Sequence, residues 1–392
     1  MVGSEAAIQH KVPLDHDERK ERSDHAVVIE IGSTAIRCVI NGMELELPPL
    51  RSIKSRFKLA PAMGDKEPLR SETRNQVFLV LNEIRRTLEQ YNYAPEDIQV
   101  ICTSAFRDEE NLNEISVEGG KLLDEIKEKT GFNAEVIEGR QEALYAAYGV
   151  LQYFPNANGT VADLGGRSTE LALIKDGEAD EKLAVSLPFG HTIIQDMLDQ
   201  AEKKLRKTKA KELENAANEI KSDSKREAAL GRVEERANRY AKKQAIKNVR
   251  AYIDGHLDNL PKAFEKSDNW FPIGGSWRKI GRAFANAGKF EVKPDEAKCV
   301  TLTDKFAKST NKLLKKSPEE LRDLGIPDRK QETLPAAILI MQAITDKLGP
   351  KHTTISRAAI ADGVLHETVT EREKRLSTDI SPDSAPALKE VA

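Results

Sequence analysis

Two stretches of the chain share one pattern of apolar and polar positions. Val161-Ala162-Asp163-Leu164-Gly165-Gly166-Arg167-Ser168-Thr169-Glu170-Leu171-Ala172-Leu173 runs apolar into a carboxylate, turns through two glycines and resumes with alternating apolar residues. Val28-Ile29-Glu30-Ile31-Gly32-Ser33-Thr34-Ala35-Ile36-Arg37-Cys38-Val39-Ile40 repeats that pattern. Each predicts strand, tight turn, strand. Glu30 and Asp163 lie about 133 residues apart, a domain-sized spacing that predicts a duplicated domain.

The rest of the pattern fills in around the two hairpins. Val77, Val80, Leu81, Ile84 and Leu88 have helical spacing over 76–91. Residues 98–102 read as a short buried strand, 122–129 as a helix stopped by Gly131, and 134–137 as a strand. Residues 141–151 read as a helix with Glu142 in its first turn. Beyond the second hairpin come a turn at Asp176-Gly177, a strand over 184–190 and a charged helical stretch. A strand over 270–278 then runs into a Gly-rich turn and helix, followed by a core helix at 334–341 and a strand at 354–356. This order fits a ribonuclease H-like half in an α/β protein.

Composition narrows the class. The 392 residues suit two or three domains, and the net charge of −3 is near zero for that size. The three cysteines, Cys38, Cys102 and Cys299, show no CxxC spacing, which fits a reducing, cytoplasmic compartment. Seven histidines form no HExxH pair. No apolar run is long enough to span a membrane, and the N-terminus lacks a signal-peptide core. Residues 201–250 carry about 16 Lys/Arg against about 8 Asp/Glu, so this segment is locally basic. It reads either as a steering surface for a polyanion or as a solvated helical hairpin with i,i+4 pairs. Without interleaved aromatics it argues against a nucleic-acid platform.

Candidate chemistry sits at the turns. Gly165 and Gly166 are expected to supply positive φ and a nest of N–H groups for phosphate. Asp163, at a strand end, suits Mg²⁺; the plain alternative is an ordinary hairpin with a solvent-facing carboxylate. Gly274, Gly275 and Ser276 precede a helix, a favourable place for an anion. Glu142 is either a first-turn glutamate favoured by the helix dipole or a base that activates water.

Taken as an ordered set over roughly residues 26–370, these motifs resemble the exopolyphosphatase / guanosine pentaphosphate phosphohydrolase family, within the actin–sugar kinase–heat-shock chaperone superfamily. The resemblance implies two ribonuclease H-like (actin-like ATPase) domains with a phosphate-binding cleft between them. The expected domains are 26–152 and 153–370, the second with a charged helical segment at about 196–262, flanked by flexible tails at 1–25 and 371–392. It implies Glu142 as general base with Glu170 in support, and Asp163 and Glu30 as ligands of Mg²⁺. Phosphate would be held by Gly32, Ser33, Thr34, Arg37, Arg107, Gly165, Gly166, Arg167, Ser168, Gly274, Gly275 and Ser276. Asn111 matches a family asparagine, and 361–367 resembles the family's closing segment, in which Asp362 gains no role. The sequence departs from the family at Glu30, where aspartate is usual, at Thr34 and Ala35 in the first turn, and at Arg167, where a third glycine is usual.

The implied activity is release of terminal phosphate from polyphosphate or guanosine pentaphosphate, as in the stringent response. Two alternatives use the same fold: a non-catalytic sensor of such ligands and a small-molecule kinase. The expected partners are those phosphorylated ligands and a second copy in a homodimer, with no membrane or nucleic acid.

Overall fold

The computed structural model describes residues 9–11, 25–42, 51–56, 59, 69–90, 93–95, 98–108, 114–286, 300–302 and 306–379. Asn111, Cys299 and the residues after Asp379 lie outside them, as does most of the expected N-terminal tail. The chain forms two compact units. One runs to Asn156 and resumes at Ala358; the other is Ala157–Arg357.

The first unit holds β1 (Gln9–Lys11), β2 (His25–Ile31), β3 (Ala35–Gly42), β4 (Arg51–Arg56), β5 (Ile98–Cys102) and β6 (Ala134–Val136). Its helices are α1 (Ser71–Gln90), α2 (Val117–Thr130) and α3 (Gly139–Tyr153), with a closing helix at Ile360–Asp379. The sheet order is β1-β4-β3-β2-β5-β6. β2 pairs antiparallel with β3 and parallel with β5, which pairs parallel with β6. β1 falls inside the expected tail; it pairs with β4, whose outer edge would otherwise leave backbone groups open.

Strand alternation sends the side chains of β2 to two buried faces. Val27, Ile29 and Ile31 pack with Val77, Leu81, Ile84, Leu122 and Ile126 from α1 and α2. Val28 packs instead with Val39, Tyr145 of α3, and Ile360, Ala361, Val364 and Leu365 of the closing helix. Glu30 and Arg37 share the parity of Val28 and Val39, so they belong to this second face.

The second unit repeats the plan. Its strands are β7 (Gly159–Leu164), β8 (Thr169–Lys175), β9 (Glu178–Leu187), β10 (Asn269–Ile273), β11 (Val300–Leu302) and β12 (His352–Ile355). The order β11-β12-β10-β7-β8-β9 contains the same run of three antiparallel and two parallel-added strands as β4-β3-β2-β5-β6. The duplication read from the two hairpins is therefore a duplication of sheet topology, the ribonuclease H-like arrangement. α4 (His191–Asn218), α5 (Asp223–Leu230) and α6 (Val233–Leu257) occupy the charged stretch. α7 (Gly275–Asn286), α8 (Phe306–Leu313), α9 (Pro318–Asp323), α10 (Asp328–Gln331) and α11 (Leu334–Leu348) follow. α6 buries Val233, Ala237, Ala241, Ala245, Val249, Ile253 and Leu257, a stripe at every fourth position whose alanines allow close packing against α4.

The domain reading differs from the structure at its C-terminal boundary. Residues 358–370, expected in the second domain, pack in the first unit because the apolar face of the closing helix covers β2, β3 and α3. Residues 371–379, expected in a flexible tail, continue that helix; Glu371, Arg372, Glu373, Lys374, Arg375 and Leu376 are all good helix formers. Among the described residues, no helix is long and apolar enough to cross a membrane.

Candidate active site

The two hairpin turns close in the same way. Gly32 N donates to Ala35 O at 2.9 Å, and Gly165 N donates to Ser168 O at 3.1 Å. The expected positive φ is absent: neither Gly32, Gly165 nor Gly166 adopts it. Close approach accounts for glycine at two positions. A Cβ on Gly165 would lie 3.0 Å from Ser168 O, and one on Gly190 would lie 2.4 Å from the Gly166 carbonyl carbon. Arg167 also has ordinary φ, so arginine in place of the family's third glycine introduces no backbone strain.

In the first unit, pairing register sets Glu30 directly opposite Arg37. Arg37 Nη2 lies 3.4 Å from Asp362 Oδ1, on the closing helix. Burial works against the charge of Arg37, but the Asp362 and Glu30 carboxylates outweigh it and hold the guanidinium above its ordinary pKa. Arg37 Nη1 and Glu30 Oε2 are buried and have no hydrogen-bond partner. Buried polar atoms left unpaired are costly, so such atoms mark places where a ligand or water is expected. Ser33 is buried, its hydroxyl 3.3 Å from that of Ser104. Thr34 is half-buried in the same turn.

After β5 a single 3₁₀ turn, Ser104–Phe106, delivers Arg107. Its Nη2 donates to Glu142 Oε2 at 2.6 Å, with the two side chains 2% and 5% exposed. Glu142 stands in the first turn of α3, where the helix dipole favours a carboxylate. A charge-assisted contact this short fixes the direction of the carboxylate. Sequence reading assigned Arg107 to phosphate; the structure shows it holding Glu142.

In the second unit, Asp163 and Glu170 are cross-strand partners at the end of β7, 8% and 1% exposed. Ser186 of β9 donates to Glu170 Oε1 at 2.8 Å. Gly274 has φ +90°, and a Cβ there would lie 2.4 Å from Asp163 Oδ1. Here glycine is required twice over, by conformation and by space. Gly275 faces open space at the start of α7, beside a buried Ser276. Arg167 and Ser168 are buried, and Ser168 Oγ has no hydrogen-bond partner. His191 N and Thr192 N, at the start of α4, donate to Gly165 O and Gly166 O at 3.1 and 2.9 Å. The carbonyls of the loop are thus used to anchor α4.

Adjacent buried carboxylates with a hydroxyl donor suit Mg²⁺, which takes one or two protein carboxylates and keeps much of its water. Among the described residues, no group of three or more His, Cys, Asp and Glu side chains could hold a metal ion. Asp163 and Glu170 are two cross-strand carboxylates, one short of such a group. Glu30, the other expected ligand, belongs to the first unit and faces a guanidinium.

A family model described as the Ppx/GppA phosphatase family matches residues 38–238, more than half of the chain. The chain belongs to the Ppx/GppA phosphatase family. Its fold is similar to that of a Ppx/GppA family member from Aquifex aeolicus, with 19% identity, a TM-score of 0.64, and coverage of 89% of this chain and 98% of that one. It is also similar to an exopolyphosphatase from Cytophaga hutchinsonii, with 16% identity, a TM-score of 0.63, and coverage of 88% and 98%. An exopolyphosphatase-like protein gives 16% identity, a TM-score of 0.62, and coverage of 90% and 99%. At such identities the likeness is one of fold. No curated protein matches the sequence.

Sequence reading gave no site role to Ser104, Ser186, Gly190 or Asp362. Only Gly190 carried a local signal, as a glycine closing a strand ahead of a helix.

Proposed function

We propose that the protein is a Mg²⁺-dependent phosphohydrolase that releases terminal phosphate from inorganic polyphosphate or guanosine pentaphosphate. The observation that carries this reading is the buried Glu142 carboxylate, held by Arg107 in the first turn of α3. Water attacks the terminal phosphorus and gives its proton to Glu142. The bond from that phosphorus to the bridging oxygen breaks, and the shortened chain leaves with the electron pair. Asp163 and Glu170 would hold Mg²⁺, which when bound neutralises charge on the phosphate oxygens. Arg37 and the turn N–H groups stabilise charge that builds up during transfer.

The test is phosphate release from long-chain polyphosphate and from guanosine pentaphosphate, with Mg²⁺ and with EDTA. Release from either one, lost in EDTA, is the expected result. Tight binding without release, independent of Mg²⁺, would make the protein a sensor.

The basic helical hairpin bears on which substrate is preferred. Lys209 pairs with Glu212 at 2.7 Å, whereas among the described residues Lys203, Lys204, Arg206 and Lys207 make no ion pair. Reversing these four to Glu is expected to weaken long polyphosphate more than guanosine pentaphosphate, with the gap shrinking at high salt. Equal effects on both ligands would reduce the hairpin to solvated surface.

A further inference from the structure

Asp362 has two neighbours, and they divide its carboxylate. Oδ2 accepts the Ala359 N–H at 2.8 Å, and Oδ1 faces Arg37 Nη2 at 3.4 Å. The first contact is half of a capping box, since Asp362 is the third residue of the closing helix and Ala359 precedes its first. Capping alone would explain an aspartate here. It would not explain 1% exposure or a guanidinium partner from a β-strand.

Arg37 is divided in the same manner. Nη2 is directed at Asp362, while Nη1 is buried without a partner. The side chain as a whole retains 13% exposure, but Nη1 itself is buried, so that donor has neither solvent nor a protein partner. A guanidinium presents its donors as a rigid planar fork, so fixing one edge fixes the direction of the other. Across the hairpin, Glu30 Oε2 is also buried and unpartnered.

We infer that Asp362 is a positioning residue, which holds Arg37 so that its Nη1 donates to an oxyanion of the phosphorylated ligand. This rests on reading the Gly32–Arg37 hairpin as a phosphate site. The helix cap clamps Asp362, Asp362 clamps one edge of Arg37, and the other edge is left for ligand. The closing helix, returning after the whole second unit, thereby completes a site whose other parts lie near the N-terminus.

The test is binding of tripolyphosphate by calorimetry, which does not require turnover, together with steady-state kinetics. Asp362→Asn keeps an oxygen for the Ala359 N–H but loses the charge facing Arg37. It is expected to keep the unfolding midpoint while weakening tripolyphosphate about 10-fold, the size of a charged hydrogen bond misdirected. KM should rise more than kcat falls. Arg37→Ala should lose at least as much, and the double variant should be no weaker than Arg37→Ala alone, because both changes break one linkage. Arg37→Lys, which cannot fork between Asp362 and ligand, should resemble Asp362→Asn. Wild-type binding by Asp362→Asn, or losses that simply add with Arg37→Ala, would reduce Asp362 to a helix cap. If Asp362→Asn fails to fold, wild-type binding by Arg37→Lys overturns the inference. Coupled binding effects without any phosphate release would leave it standing and remove only the hydrolase reading. A wild-type protein that does not bind tripolyphosphate would overturn both.

Discussion

Glu142→Gln is expected to lower phosphate release by about 100-fold or more while ligand binding survives. The substitution keeps the length and planarity of the side chain. An amide oxygen can still accept the Arg107 Nη2 hydrogen that the carboxylate accepts at 2.6 Å. What it removes is the site that takes a proton from water. The same change leaves the 2%-exposed Arg107 without its counter-charge, so some loss of stability is expected as well. The two effects separate in a single-turnover experiment on folded protein, with an unfolding curve run alongside. Near-normal turnover would remove Glu142 from the mechanism and return it to the role of a first-turn glutamate.

Gly363→Ala is expected to cause the largest loss of stability. A Cβ there would fall 1.8 Å from Tyr145 O and 2.6 Å from the Tyr145 carbonyl carbon. Both are backbone atoms of α3, so no flexible side chain can yield. The facing surface is also too close for a side chain: a Cβ on Gly149 would lie 2.6 Å from Ala359 O. The closing helix must therefore move away from α3. That would stretch the Tyr145 hydroxyl bond to Glu367, 2.7 Å long, and draw Asp362 from Arg37. Overpacking of this kind costs about 1–3 kcal/mol or more. Chemical denaturation should show a lower midpoint, and tripolyphosphate binding should weaken with it. Gly120→Ala is the control. It lies in α2 with nothing within 4 Å of the added carbon, and the gain in helix propensity should raise the midpoint slightly. A Gly363→Ala protein as stable as the control would show that the two helices can separate freely.

Local features were legible in the sequence because their causes are local. Alternation of apolar residues around a short turn makes a hairpin wherever it occurs, and both hairpins formed as read. Gly131 stops α2 with φ +76°, and Asp176-Gly177 turns with both residues at positive φ. Glu142 could be placed in a first turn from the helical spacing that follows it. Two hairpins a domain's length apart were enough to suggest duplicated sheets.

Other features needed the tertiary structure. The glycines at 165 and 166 looked alike in sequence to those at 274 and 275, yet only Gly274 takes positive φ, because the chain there must pass the Asp163 carboxylate. Arg167 stands where the family usually has a third glycine, but a turn closed by Gly165 N and Ser168 O does not require a left-handed third residue. Arg107 read as a phosphate clamp, and only packing between the turn after β5 and the start of α3 made it the partner of Glu142. The return of the closing helix to the first unit was hidden most completely. Arg37 and Asp362 are 325 residues apart, and neither carries a local mark of the other. Periodicity tells a helix which face to bury but not which sheet will cover it. That choice rested on the fit of Gly363 and Gly149 against opposing backbone, a match of shapes that exists only once both helices are in place.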